Sequence, residues 1–186
     1  MKPLLPNTYV INNKYLQSIL SPSTDIIDYN FTSDQIHKLN LLQILRPDIY
    51  FNKKLSEEEF YDLSRNYYQK LINDQIIYKS KSDYFLYRID SEDHSQTGLI
   101  SLLNIQDYIN NNIKPHEKIL VSKGKERAEQ ISKVKFQLCP IYLFYDDQNI
   151  DLDLDIHHEK KPIIKFKSGK YVHSIYKTQS DFSSIN

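Results

Sequence analysis

Cysteine is nearly missing from this chain: Cys139 stands alone, next to Pro140. One thiol cannot build a disulfide framework, a CxxC redox pair or a thiolate zinc site, and such usage fits a reducing, cytoplasmic setting. Glycine is almost as scarce. Gly98, Gly124 and Gly169 are isolated, so neither GxGxxG nor GxxxxGK[ST] spacing exists, which excludes Rossmann and P-loop phosphate cradles. There is no GxSxG elbow for a serine nucleophile, and Cys139 sits in an apolar run that does not favour a thiolate. An excess of one charge is lacking too. Lys plus Arg and Asp plus Glu both total 24, a net charge of zero, so no overall field attracts nucleic acid or an anionic membrane. No stretch approaches the ~20 apolar residues that span a bilayer, and the opening MKPLLPNTYVINN lacks the apolar core of a secretory leader. A soluble protein that is not exported is expected.

What the chain does contain is alternation between helical and strand patterns. In residues 55–75, LSEEEFYDLSRNYYQKLINDQ, Ser56 and Glu59 have capping-box spacing, and Phe60, Leu63, Tyr67 and Leu71 recur at steps of three and four. This predicts a helix of about five turns with one buried face. IIYKS and YFLYRI, separated by the polar KSD, read as a hairpin, and TGLISLLN would continue the sheet. A shorter helix over SDQIHKL, capped by Ser33, is expected between strands over TDIIDY and LLQILRPD. Further on, KERAEQISKV reads as a helix and CPIYLFYDD as a strand buried on both faces. DQNIDLDLDIHHEKK is a polar connector, and PIIKFKSGKYVHSIYK a hairpin turning at Ser168-Gly169. The expected class is α+β: a mixed sheet with flanking helices in a single compact domain, a core over 1–150, and a connector plus hairpin over 151–186 packing on it.

Two metal motifs fail on inspection. His116-Glu117 would need a second histidine one helical turn on to bind zinc, and that position is Leu120. Asp151, Asp153 and Asp155 alternate like the start of a calcium loop, but Ile156 replaces the required glycine and Pro162 the closing glutamate. His157, His158 and Glu159 beside them carry imidazole and carboxylate donors of the kind that take zinc or nickel. A solvated connector accounts for the same residues, and no metal site is assigned.

The remaining candidate is residues 110–131, NNNIKPHEKILVSKGKERAEQI. It offers an acid–base pair, His116 and Glu117, and cations at Lys118, Lys123, Lys125 and Arg127 that suit phosphate or carboxylate. If the segment is helical from Ser122, Lys123 and Arg127 share a face. Composition alone favours the plainer reading, a charged and solvated helix start.

Residues 87–118, YRIDSEDHSQTGLISLLNIQDYINNNIKPHEK, resemble the most characteristic segment of the domain of unknown function 1015 family. There a tyrosine-rich strand leads through Gln-Thr-Gly to His-Glu and then spaced Lys and Arg. ILSPSTDII, LLQILRPDI and CPIYLFYDD resemble three further family segments in family order, so the resemblance spans residues 18–147. It carries Ser21, Pro22 and Asp25, Arg46 and Pro47, Gln96, Thr97 and Gly98, and His116, Glu117, Lys123, Glu126 and Arg127. Departures are Ser23 and Thr24 for Pro-Tyr, Ile119-Leu120-Val121 for a polar Thr-Arg-Pro, and Gln130 for a histidine.

By this resemblance, full-length members are similar to ParB-type nucleotide-binding proteins that phosphorylate free serine or a like hydroxyl compound, with ATP and Mg2+ as the implied cofactors. They are about twice this long and carry a second-half Asp-Gly-His-His-Arg-Tyr-Glu segment that this chain lacks. The resemblance therefore implies the substrate-side lobe of a kinase-like protein, with little activity alone and completed by homodimerisation or by a separate C-terminal-half polypeptide. Glu117 would be the base, with His116 its neighbour. Lys123 and Arg127 would contact phosphate or carboxylate, and Asp25, Gln96 and Thr97 the substrate. The alternative is a non-enzymatic ligand-binding or protein-interaction domain on the same scaffold.

Overall fold

The structure is a computed structural model, and it describes residues 2–21, 37–81, 83–115, 120–144, 152, 161–178, 180 and 182. In chain order the elements are β1 (Tyr9–Ile11), α1 (Leu16–Ile19), α2 (Leu42–Leu45), α3 (Pro47–Tyr50), α4 (Glu57–Asn73), β2 (Ile77–Lys79), β3 (Tyr84–Asp90), β4 (Ser95–Ile100), α5 (Ile105–Ile109), α6 (Val121–Val134), β5 (Ile164–Ser168) and β6 (Tyr171–Thr178). The α+β class holds. The four-stranded sheet, in the order β4-β3-β6-β5, is antiparallel at every described pairing, where a mixed sheet was expected. The chain forms two compact units: a sheet unit of Met1–Tyr9, Lys79–His116 and Phe144–Asn186, and a helical unit of Val10–Tyr78 and Glu117–Leu143.

In the sheet unit, β3 runs as YFLYRID, and its alternate residues face opposite ways. Tyr84 and Leu86 gather Leu152 and Phe182 into a buried cluster, flanked by Leu99 and Tyr176. Tyr84 meets Phe182 edge-on at 5.3 Å and donates its hydroxyl to the Pro3 carbonyl at 3.0 Å. Such burial stabilises by roughly 1.5–3 kcal/mol per large apolar side chain. The β5–β6 hairpin forms as expected. Ser168 pairs with Tyr171, so the turn residues are Gly169 and Lys170, one position later than expected, and Gly169 at φ 56° supplies the positive dihedral that a two-residue hairpin turn needs.

The expected hairpin between β2 and β3 does not form. A strand has two edges, and those of β3 are taken by β4 and β6, while β2 pairs with β1. The strand expected over LLQILRPD is instead α2 and α3. Asn40 Oδ1 accepts from the Leu42 N–H at 2.8 Å to start the first, and Pro47 opens the second at a position where a missing N–H costs nothing. A short apolar run does not by itself distinguish strand from helix.

CPIYLFYDD is also not a strand over its described part, 139–144, where Ile141, Tyr142 and Phe144 are exposed. Pro140 has no N–H to give to a central ladder. The strand expected over 24–29 and the capped start of the helix over 33–39 lie outside the described residues.

In the helical unit, α4 matches its expected span. Ser56 Oγ accepts from the Glu59 N–H at 3.2 Å, and the Glu59 carboxylate accepts from the Ser56 N–H at 2.8 Å. Its buried face is rotated from the expected one: Tyr61, Ser64, Tyr67, Tyr68 and Leu71 are buried, while Phe60 and Leu63 are half-exposed. Serine is tolerated there because Ser64 Oγ lies 2.9 Å from the carbonyls of both Ile44 and Phe60. Tyr68 stacks on Phe136 at 4.2 Å, which ties the residues after α6 to α4.

Candidate functional site

Helix α6 carries the two cations that sequence spacing singled out. It starts at Val121, so Lys123 and Arg127 do lie one turn apart on one helix. Its N-cap is Leu120, in extended conformation and with no side-chain cap, and the first turn has no acidic residue. The helix therefore begins with Lys123 where the macrodipole favours an anion. The Lys123 ammonium is exposed and 3.5 Å from Glu126. The Arg127 guanidinium donates to Gln130 Oε1 at 2.6 Å, and Gln130 Nε2 in turn donates to the Ile44 carbonyl at 3.4 Å. Gln130 thus links a surface arginine to the backbone of α2. Ile44, Arg127, Gln130, Val134, Phe136 and Cys139 line a shallow depression.

N–H groups of a helix start, ammonium and guanidinium are each donors of the kind that phosphate oxygens, those of ATP included, accept from. Mg2+ takes hard oxygen ligands, which Lys123 and Arg127 do not supply. His116, Glu117 and Asp25 lie outside the described residues, as do Asp151, Asp153, Asp155, His157, His158 and Glu159.

Gln96 and Thr97 belong to β4, in the sheet unit, while Lys123 and Arg127 belong to the helical unit. Being consecutive in a strand, Gln96 and Thr97 project to opposite faces and are not brought together. Thr97 shares its face with Arg88, Asp90 and Ser95, since Arg88 pairs with Thr97 and Asp90 with Ser95. There the Asp90 carboxylate accepts from Arg88 Nε at 2.7 Å and from Ser95 Oγ at 2.6 Å. Partial burial pulls the Asp90 pKa upward, but those hydrogen bonds and the charges of Arg88 and Lys165 outweigh it and hold the carboxyl below its usual range.

Gln96 shares the other face with Gly98, Tyr87 and His173. The Tyr87 hydroxyl and His173 Nδ1 are 2.7 Å apart, and the rings are 15° from parallel. Phe166 stacks on His173 at 4.7 Å and 10°. Burial pushes the Tyr87 phenol pKa up, so it stays protonated at neutral pH.

A family model described as "Protein of unknown function (DUF1015)" matches residues 4–183. The chain belongs to the DUF1015 family. That match takes in segments of both units. Searches of curated proteins and of solved structures find no match for it.

Within this DUF1015 chain, sequence spacing anticipated that Lys123 and Arg127 share one helix but not the polar groupings of Arg88, Asp90 and Ser95 or of Tyr87 and His173. Arg88 and Asp90 were within reach, because alternate positions of a strand share a face. Tyr87 and His173 meet only through strand pairing. No helix among the described residues is long and apolar enough to cross a membrane.

Proposed function

We propose that this DUF1015 chain is the substrate-side lobe of a kinase-like protein that phosphorylates a small hydroxyl compound such as free serine, with little turnover on its own. The observation that carries this reading is the start of α6, which lacks a cap and an acidic residue and presents Lys123 and Arg127 instead. In phosphoryl transfer the protein mainly positions the groups and neutralises phosphate charge. Lys123 and Arg127 do the neutralising, on phosphate or on the substrate carboxylate. Glu117 accepts the hydroxyl proton, with His116 beside it in sequence. Asp25 is a further polar substrate contact, ATP with Mg2+ is the phosphoryl donor, and a second chain, in a homodimer or as a separate polypeptide, completes the catalyst.

Calorimetric titration of the full chain with O-phosphoserine tests the lobe assignment. Arg127→Ala is expected to weaken binding at least about tenfold, since a charge-assisted hydrogen bond contributes roughly 1.5–3 kcal/mol. Equal affinity in the variant would remove α6 from the site. Rapid phosphorylation of serine by this chain alone would refute the need for a second chain. Once the completing chain is present, Glu117→Gln is expected to abolish turnover with little change in affinity, and an unchanged rate would rule out Glu117 as the base.

A further inference from the structure

Nothing among the described residues requires a glycine at position 98. Its backbone is ordinary strand, without a positive φ, and no described atom lies within 4 Å of where a Cβ would stand. The pairing runs through it without a bulge, from Phe85 with Ile100 to Asp90 with Ser95. A glycine inside a strand weakens it, and commonly marks a bulge or a place where a ligand or another backbone comes close. The register excludes the bulge, and no described backbone approaches.

Among the described residues, the missing side chain leaves the sheet surface uncovered beside Tyr87, the cross-strand partner of Gly98. Tyr87 ends a stack of parallel rings on the side of β4. Its hydroxyl joins His173, the two rings lie within 15° of one plane direction, and Phe166 stacks on the imidazole. Phe166, His173 and Tyr87 are all partly exposed. The hydrogen bond to His173 Nδ1 fixes the Tyr87 ring, which lies between His173 and the strip over Gly98.

We propose that the strip over Gly98, walled by the Tyr87 ring, binds one planar heteroaromatic ring, a nucleobase of a free nucleoside or nucleotide. Aromatic side chains on a sheet surface are the usual platform for stacking a base, and a base over Gly98 would extend the Phe166–His173–Tyr87 stack by one ring. A net charge of zero provides no field for a polyanion, so a free nucleoside or nucleotide is the occupant, not a nucleic-acid strand. The site lies wholly within the sheet unit and does not rest on the kinase reading.

The test is calorimetric titration of the full chain with adenosine, which carries the base without phosphate. Wild type is expected to bind at millimolar concentration or below. Gly98→Val, which keeps strand propensity and fills the strip, is expected to lose at least about tenfold, the loss of one base–aromatic stack. Tyr87→Leu, which keeps an apolar strand and removes the wall, should lose as much and carries the test should Gly98→Val fail to fold. Arg127→Ala should leave adenosine binding unchanged, so failure here and failure of the phosphoserine experiment are distinguishable. No adenosine binding by wild type, equal binding by Gly98→Val and Tyr87→Leu, or binding of polyadenylate without adenosine would each overturn the assignment.

Discussion

Helix α4 begins on Ser56, whose side chain and backbone exchange hydrogen bonds with Glu59, and its first turn holds Glu57, Glu58 and Glu59. Helix α6, in the same unit, begins on an apolar Leu120 with no side-chain cap and places Lys123 where α4 has Glu59. The two also differ in what they bury. Five residues of α4 are buried, including Leu71 at 0 %, whereas Val134 at the far end is the only buried residue of α6. At α4 capping, charge and packing agree with the fold. At the start of α6 they do not, and such local disagreement is expected where a surface serves a ligand and not stability.

The largest effect should come from the α4 core. Leu71→Ala is expected to cost about 2–5 kcal/mol, the range for a fully buried leucine, in urea unfolding monitored by circular dichroism. By contrast, Lys123→Ala and Arg127→Ala should each stay within about 0.5 kcal/mol of wild type, as exposed positions do. A large loss at either cation would show that α6 starts where it does for structural reasons, and the contrast would break.

Next in size is Ser64→Ala, at about 1–3 kcal/mol, because the Ile44 carbonyl would keep only the longer contact from Gln130. Tyr67 sets the control. Its hydroxyl is buried with no hydrogen-bond partner among the described residues, so Tyr67→Phe should leave stability unchanged or raise it. If Ser64→Ala were harmless, the Ile44 carbonyl would not be the tie between α2, α4 and α6 that its hydrogen bonds describe.

The same contrast separates what could be read from sequence from what could not. The α4 capping box, the turn at Gly169 and the one-turn spacing of Lys123 and Arg127 are local patterns, set by residues within four positions of each other. What escaped was either locally ambiguous or non-local. LLQILRPD is short and apolar, and burial in α2 and α3 needs no particular period over so few residues. The hydrogen bonds from Gln130 to Ile44 and between Tyr87 and His173 each join residues 86 apart, and only the tertiary fold brings such pairs together. The pairing of β3 with β6 in place of β2 has the same origin.

Ser56→Ala should cost about 1 kcal/mol, the usual cost of losing an N-cap hydroxyl. Its pH dependence is a sharper readout. The Ser56 N–H, then hydrogen bonding to Lys53 and the Ser56 side chain, hold the Glu59 carboxyl below its ordinary value. A depressed carboxyl gives stability that is present above the unfolded pKa and is lost as pH falls through the lower folded one. Glu59→Gln should therefore flatten the acid limb of the stability curve, and an unaltered limb would mean that the box is formed but energetically idle.

The smallest effect is also the one that bears most directly on the comparison, because it transplants one helix start onto the other. Positions 120 and 123 stand to α6 as 56 and 59 stand to α4, so Leu120→Ser combined with Lys123→Glu writes the α4 box into α6. Leu120 is already extended, at φ −64° and ψ 116°, as the capping geometry requires. A cap adds about 1 kcal/mol, and a glutamate facing Glu126 three residues on removes about 0.2–0.5 kcal/mol of it. The net gain should be just over about half a kcal/mol, a rise in Tm of a few degrees at most. Affinity for O-phosphoserine should fall at least about tenfold in the same protein, since the installed carboxylate and hydroxyl take the N–H groups and remove the ammonium that an anion would use. A more stable protein with unchanged affinity would mean that α6 simply starts badly; a more stable protein that no longer binds would mean that its poor start is what makes the site.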